Sequence, residues 1–243
     1  MLFINLEMST QNIEQVKLEI DGKINELVNF LRKLGILDET IIIVTADHGE
    51  SLGEHGLMGH KLGLYDTLVR VPLIIKYPRL FPKGIVSSRL VQLVDIFPTL
   101  LELAGIKEKE KMNSQGISII SLLNGVKNRA YTFSEQAFPD PEVFKVFEIK
   151  DAVLDVTAYK TDLKAIRTAN YKYIYSSNQT EQLFNIREDP GEKKNLIDIF
   201  TAEAEKLKKE LFTFTNSQNS RKKKESGKLD EYTKKQLQGL GYF

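Results

Sequence analysis

The chain has 243 residues, of which 42% are hydrophobic and 28% charged, a balance typical of a folded globular protein. Its formal net charge of +1 does not favour a nucleic-acid or anionic-membrane partner. The absence of cysteine excludes a disulfide framework and a thiolate metal site. No apolar run reaches the length of a membrane span, and the first ten residues lack a signal-peptide layout. A cytoplasmic location is therefore the default expectation, although an export signal would lie upstream if a longer protein preceded Met1.

The beginning of the chain predicts a helix followed by a strand. Between residues 10 and 34 the apolar residues fall on one helical stripe, and Gly35 is a stop signal. We interpret this helix as a layer packed on a sheet. The mostly β-branched run Thr40–Ala46 is typical of a strand buried on both faces of a parallel sheet. Leu2–Leu6 is interpreted as a further short strand.

The next segment continues the α/β pattern. A short helix is expected over Leu64–Val69, and Arg70–Lys76 predicts a core strand with its proline at the beginning. Asp95 is a good N-cap for a helix over Ile96–Ala104, which Gly105 closes.

Composition and pattern change near residue 125. Four short strands and a final helix follow: Tyr131–Gln136, Lys164–Thr168, Tyr171–Ser176, Gln182–Asn185 and the helix Thr201–Phe214. We therefore predict an α/β fold with two domains. Residues 1–125 form an α/β core with a mixed sheet flanked by helices, and residues 126–243 form a small antiparallel sheet with a helix and a polar tail.

All three histidines of the chain fall in the loop after the run Thr40–Ala46, at His48, His55 and His60. Four glycines in the same loop allow positive φ values and bring its backbone close to an ion. Asp47 offers a charged oxygen and His48 a nitrogen, a pair suited to a divalent cation at the carboxyl end of a strand. The sequence therefore predicts a ligand site in this loop rather than a polar turn.

The segment ADHGESLGEHG, followed by GHKLGLYDTLVRVPLII, resembles the sulfatase family of the alkaline-phosphatase-like superfamily. Further matching motifs are Asp95–Leu100, Leu103–Gly105, Ala165–Thr168, Tyr171–Ile174, Leu183–Ile186, Asp189–Pro190, Glu192, Asn195–Leu196 and Leu237–Tyr242. The resemblance covers nearly the whole chain but only the C-terminal portion of a complete sulfatase. It implies a partial alkaline-phosphatase-like mixed sheet for residues 1–125.

The resemblance also implies roles for the loop residues. Asp47 and His48 are assigned to the metal, with calcium as the first expectation and magnesium, manganese or zinc as alternatives. His60 or Lys61 is expected to contact the anionic oxygens of the substrate, and the sequence leaves both open.

Two further loop residues are expected to support the residues that bind the metal and the substrate. Glu50 is assigned to orienting a histidine, and His55 to shaping the loop around the site.

The family's nucleophile motif, Cys or Ser two places before a proline with Arg two places further, does not occur in this chain. We therefore expect a metal-dependent hydrolase of sulfate monoesters that is inactive alone. The alternatives are a phosphoesterase or phosphonate ester hydrolase of the same superfamily, and a non-catalytic remnant that binds a metal or anion. The expected partners are a small-molecule sulfate or phosphate ester, and either a missing N-terminal half or a second copy.

Overall fold

The computed structural model describes residues 10–106, 114–141, 144, 156–222 and 235–236. The predicted strand Leu2–Leu6 lies outside these residues. Two units are distinguished, the first comprising Met1–Asp47 and Val71–Ser88 and the second His48–Arg70 and Arg89–Phe243. The predicted domain boundary after residue 125 falls inside the second unit and stays a prediction.

The described residues include the helices α1 (Thr10–Lys33), α2 (Asp66–Val69), α3 (Ile96–Leu103), α4 (Ile119–Leu123) and α5 (Thr201–Lys222). The strands are β1 (Ile42–Thr45), β2 (Ser51–Leu52), β3 (Met58–Gly59), β4 (Leu73–Lys76), β5 (Thr132–Gln136), β6 (Leu163–Arg167), β7 (Tyr171–Ser176) and β8 (Glu181–Asn185). Within the part of the chain that is described, none of the helices combines the length and apolar character that crossing a membrane needs.

Helix α1, in the first unit, confirms the predicted helix and its stop signal. Gly35 follows it with a φ of 72°, the left-handed conformation that commonly ends a helix. The apolar stripe of the helix is not packed away, because Val16, Ile20 and Leu27 are each more than half exposed. The prediction that this face of the helix packs on a sheet is therefore wrong for these side chains.

Strands β1 and β4 form an antiparallel pair, with Ile42 opposite Lys76 and Thr45 opposite Leu73. The parallel, fully buried strand predicted for Thr40–Ala46 is therefore wrong in direction and in burial, since its residues are half-buried or exposed. The predicted core strand that became β4 also keeps Ile74 exposed. A β-branched apolar run favours a strand, but it does not encode the direction of the neighbouring strand.

The second unit contains an antiparallel sheet of four strands in the order β5-β6-β7-β8. All four predicted strands of this region are confirmed, and the predicted helix after them is α5. Thr168 closes the turn between β6 and β7, because its hydroxyl accepts the N–H groups of Asn170 and Tyr171. The small antiparallel sheet with a helix on it is therefore as predicted.

Both faces of this sheet are covered. On one face Ile166, Tyr173 and Leu183 pack against Leu207 and Leu211 of α5. Successive side chains of a strand point to opposite faces. The residues next in sequence to the three sheet residues, Ala165, Ile174 and Phe184, therefore face the other way, where they pack with Leu57, Leu62, Leu64 and Tyr65. The loop that carries the histidines is thus anchored on the sheet by its own apolar residues.

Asp95 directly precedes α3, as predicted for its cap residue, but its side chain makes no hydrogen bond to that helix. The fully buried carboxylate instead accepts the N–H groups of Gln92 and Ile117, both at 2.8 Å. It also pairs with the guanidinium of Arg129 at 2.5 Å. Asp95 therefore joins three segments of the second unit that are distant in sequence.

Candidate functional site

The ladder of a small hairpin brings Glu50 and His60 together. Strands β2 and β3 pair Ser51 with Gly59 and Leu52 with Met58. Extending this register by one residue places Glu50 opposite His60, and opposite residues of an antiparallel pair point to the same face. The Nδ1 atom of His60 lies 3.0 Å from a carboxylate oxygen of Glu50. The loop sequence therefore folds into a hairpin that holds the carboxylate of Glu50 beside the imidazole of His60.

The first strand of the hairpin is held against α2. The N–H of Gly49 donates to the carbonyl of Leu68 at 2.7 Å. A Cβ atom on Gly49 would lie 2.0 Å from the carbonyl oxygen of Thr67, so only glycine fits. The fully buried Ser51 shares a hydrogen bond of 3.2 Å with the Thr67 hydroxyl. This close approach fixes the backbone between His48 and Glu50.

His48 completes a group of three side chains that could hold a metal ion. Its ring stacks on that of His60, with centroids 4.3 Å apart and an angle of 20° between the planes. His48, Glu50 and His60 can each place one ligand atom so that all three atoms lie within 4.8 Å of one another. The structure thus gathers two imidazoles and one carboxylate at one point of the second unit.

His55 lies apart from this group. Its ring stacks on Tyr65 with centroids 3.6 Å apart, and its backbone takes a φ of 55°. Burial is the main cause that lowers the pKa of His55, and the positive charge of Lys172 lowers it further. The ring stacks on a core residue and does not belong to the group of ligand atoms around His48, while its assignment to the site's support stays a prediction.

The adjacent Glu54 stabilises the turn of the hairpin. Its carboxylate accepts the N–H of Leu52 at 2.6 Å, and this backbone hydrogen bond is the main cause that lowers the pKa of Glu54. Gly53 allows the turn through a φ of 119°.

Asp47 and Lys61 flank the group in sequence, directly before His48 and directly after His60. Both side chains are exposed. Neither belongs to the group of ligand atoms within 4.8 Å of one another. Their assignments, Asp47 to the metal and Lys61 to the substrate anion, stay predictions.

A buried ion cluster that was not predicted from the sequence joins the start of α2 to the sheet. The ammonium of Lys172 on β7 lies 3.0 Å from a carboxylate oxygen of Asp66 and 2.9 Å from one of Glu192. Glu192 also accepts the backbone N–H of Asp66 at 2.5 Å, and Arg167 pairs with the other Asp66 oxygen at 3.3 Å. Lys172 and Glu192 are almost fully buried. The cluster thereby ties the start of α2 to the sheet.

Burial is the main cause that raises the pKa of Glu192, and Lys172 opposes this rise. In the sequence, these residues were signalled by the family motifs LYD, Ala165–Thr168 and YKY and by the glutamate at position 192. Nothing in their spacing showed that they would meet.

The family model that matches is the one described as N-sulphoglucosamine sulphohydrolase, C-terminal, over residues 53–218. A choline-sulfatase from Rhizobium meliloti is 33% identical over 180 residues, which are 74% of this chain and 31% of that protein. The chain spans about a third of the length of the curated relatives it matches.

Two solved structures are similar in fold. One is BT4656 in complex with its substrate D-glucosamine-2-N,6-O-disulfate, with a TM-score of 0.64, 28% identity, and coverage of 86% of this chain and 40% of that one. The other is the phosphonate monoester hydrolase of Agrobacterium radiobacter, with a TM-score of 0.66, 26% identity, and coverage of 82% and 39%. The expected alkaline-phosphatase-like α/β fold is confirmed by such neighbours. Because the family model matches more than half of its residues, the chain belongs to the sulfatase family, whose C-terminal portion it matches.

Proposed function

We propose that this chain supplies the metal-binding edge and an anion contact of a sulfuric ester hydrolase. Membership of the sulfatase family gives the reaction class. The observation that carries the proposal is the gathering of His48, Glu50 and His60 on the loop that bears the family's DHGE motif. A metal ligand and an anion contact are both needed where negative charge develops on a sulfate ester.

The roles of the residues follow from the resemblance and from their chemistry. Asp47 and His48 hold the cation, and the acceptor oxygen and nitrogen of this pair fit a divalent metal. The metal, once bound, polarises the ester and stabilises its negative oxygens. His60 or Lys61 donates to those oxygens. Glu50, 3.0 Å from His60, orients that imidazole and fixes which of its nitrogens carries the proton.

Calcium is the metal proposed first from the resemblance, with magnesium, manganese and zinc as alternatives. The ligand atoms of Asp47 and His48, one oxygen and one nitrogen, bear on the choice between these metals. Calcium and magnesium prefer oxygen ligands, whereas manganese and zinc accept an imidazole more readily.

The chain is proposed to be inactive by itself. The sulfatase nucleophile is a formylglycine made from the Cys or Ser of its motif, and this chain contains no cysteine and no Ser-x-Pro-x-Arg sequence. A covalent mechanism without that group lacks its first step. Activity therefore requires a segment that carries the nucleophile.

The test is an assay of the purified chain with an aryl sulfate and an aryl phosphate, in the presence of calcium, manganese or zinc. We expect no turnover above the rate without protein, while a complete sulfatase serves as the positive control. Sulfate ester hydrolysis should appear when the N-terminal portion of a sulfatase with a modified Cys-x-Pro-x-Arg motif is co-expressed, and Asp47→Ala should remove it. Robust hydrolysis by the chain alone that Asp47→Ala abolishes would contradict the proposal.

A phosphorus ester is the second candidate substrate, because a phosphonate monoester hydrolase shares the fold at 26% identity. The aryl phosphate arm of the same assay separates the two classes. Metal binding without hydrolysis in every combination would favour a non-catalytic remnant.

A further inference from the structure

We propose that this chain, without any other segment, binds a single transition-metal ion of the zinc class through His48, Glu50 and His60. The resemblance implies three different roles for these residues, yet their ligand atoms lie within 4.8 Å of one another. Two imidazoles and one carboxylate form a donor set that zinc-binding sites commonly use. All three residues belong to the second unit, so the site is formed within that unit.

The hydrogen bond made by the His48 ring suits a metal ligand. Its Nδ1 atom lies 2.9 Å from the carbonyl oxygen of Gly49, which can only accept a hydrogen bond. In the neutral ring the proton therefore resides on Nδ1 and the lone pair on Nε2. A histidine whose Nδ1–H donates to a backbone carbonyl and whose Nε2 binds the ion is a frequent arrangement in metal sites.

The geometry needs only a small adjustment. Tetrahedral ligands at about 2.1 Å from zinc lie roughly 3.4 Å from one another, so the present separation of up to 4.8 Å must shrink slightly. The side chains of His60 and Glu50 are 36% and 42% exposed, which leaves them room to rotate. The backbone beneath them is fixed by the hairpin register and by the close approach of Gly49 to Thr67. The scaffold is therefore preformed, and only side chains move.

The donor set also selects the metal. Calcium and magnesium take oxygen ligands, and a site with two nitrogens and one carboxylate offers them little. Metal binding at this site does not depend on the proposed hydrolase activity. One consequence does rest on that function: with His60 on the metal, Lys61 becomes the contact for the anionic ester oxygens.

The experiment is calorimetric titration of the full chain, after removal of any affinity tag, with zinc chloride and separately with calcium chloride. We expect a single zinc ion per chain that a tenfold excess of calcium does not displace. His48→Ala and His60→Ala should each weaken zinc binding by roughly tenfold or more. Glu50→Gln, which preserves the size of the side chain, should also weaken it.

Two further variants, one of them a matched control, sharpen the result. His55→Asn removes the remaining histidine of the chain, at a position where asparagine tolerates the positive φ, and should leave zinc binding unchanged. Asp47→Ala tests whether the ion binds instead to the Asp47–His48 pair proposed above for the complete hydrolase. If Asp47→Ala abolishes binding while Glu50→Gln does not, the ion binds to the Asp47–His48 pair and the proposal is wrong.

A spectroscopic measurement does not rely on the variants folding. The imidazole NMR signals of the wild-type chain come from three histidines only. Zinc should shift the signals of His48 and His60 and leave those of His55 in place. A shift confined to His55, or displacement of zinc by an equal concentration of calcium, would overturn the proposal. So would unaltered binding by a folded double variant of His48 and His60.

Discussion

Lys172 is the residue on which the support of the histidine loop depends most directly. Its ammonium is buried between the carboxylates of Asp66 and Glu192, at 3.0 Å and 2.9 Å. Buried ion pairs add little stability compared with apolar residues of similar size, but removing one partner leaves a charge without compensation. Here one cation serves two acidic groups. Asp66 has a second cationic partner in Arg167, whereas the other contact of Glu192 is the backbone N–H of Asp66.

We expect Lys172→Met to reduce the free energy of unfolding by about 3–5 kcal/mol, because the carboxylate of Glu192 stays buried without its cation. Urea unfolding followed by circular dichroism measures this loss. Lys206→Met on α5 is the matched control, since its side chain is 57% exposed and its ammonium pairs with Glu203 at 3.2 Å. The control should change stability by less than about 0.5 kcal/mol. Equal effects of the two substitutions would show that the buried cluster contributes no more to the free energy of unfolding than an exposed ion pair does.

At the residue scale, the site in the histidine loop was predictable from the sequence only in part. Three histidines and several glycines in one short loop predicted a ligand site there, and the loop does bring together three potential metal ligands. The sequence could not show which loop residues bind the metal and which contact the substrate. The contact between Glu50 and His60 depends on the register of two strands of two residues each. The contact of Lys172 with Asp66 joins residues far apart in the chain, and such distant pairs are set by the fold rather than by any local pattern.

At the scale of elements, the hairpin and α2 act as one piece. The N–H of Gly49 binds the carbonyl of Leu68, and the hydroxyl of Ser51 meets that of Thr67. A short helix of four residues has little stability of its own. It is kept in place by these contacts on one side and by the cluster around Lys172 on the other.

We therefore expect Gly49→Ala to destabilise the second unit by about 1–3 kcal/mol and to weaken metal binding. The added Cβ would stand 2.0 Å from a backbone oxygen of Thr67, so backbone must shift. Gly191→Ala in the same unit is the control, because its Cβ would meet only the flexible Lys193 side chain, at 3.3 Å. Urea unfolding and zinc titration of both variants are the measurements. A Gly49→Ala variant as stable as Gly191→Ala, with unaltered zinc affinity, would contradict the tight packing described.

The elements differ in how well their sequences predicted them. The strands β6 and β7 were predicted from their hydrophobic runs. Only residues 168–170 separate the two strands, and so short a connection leaves only an antiparallel pairing. The run that became β1 has its partner β4 further along the chain, after the histidine loop. With a long connection both directions of pairing are possible, so local pattern identified the strand but not its neighbour or its burial.

At the scale of the whole molecule, apolar surface is the main unexplained feature of the first unit. Helix α1 exposes more than half of Val16, Ile20, Leu27 and Phe30, and β4 exposes Ile74. Large exposed apolar patches of this kind favour association. The chain also spans about a third of the length of its curated relatives. We propose that the isolated chain covers this surface by contact with a second copy of itself.

Sedimentation velocity of the purified chain should accordingly show dimers or larger species whose proportion rises with concentration. The double variant Ile20→Lys and Leu27→Lys should shift the population towards monomer, because each lysine places a charge that is costly to bury on the apolar stripe. Gln15→Lys with Asn25→Lys adds the same charge at exposed polar positions of α1 and should leave association unchanged. A wild-type chain that sediments as a monodisperse monomer would refute this prediction. Equal dissociation by the two double variants would instead attribute association to net charge rather than to the stripe, since only the first pair changes its apolar character.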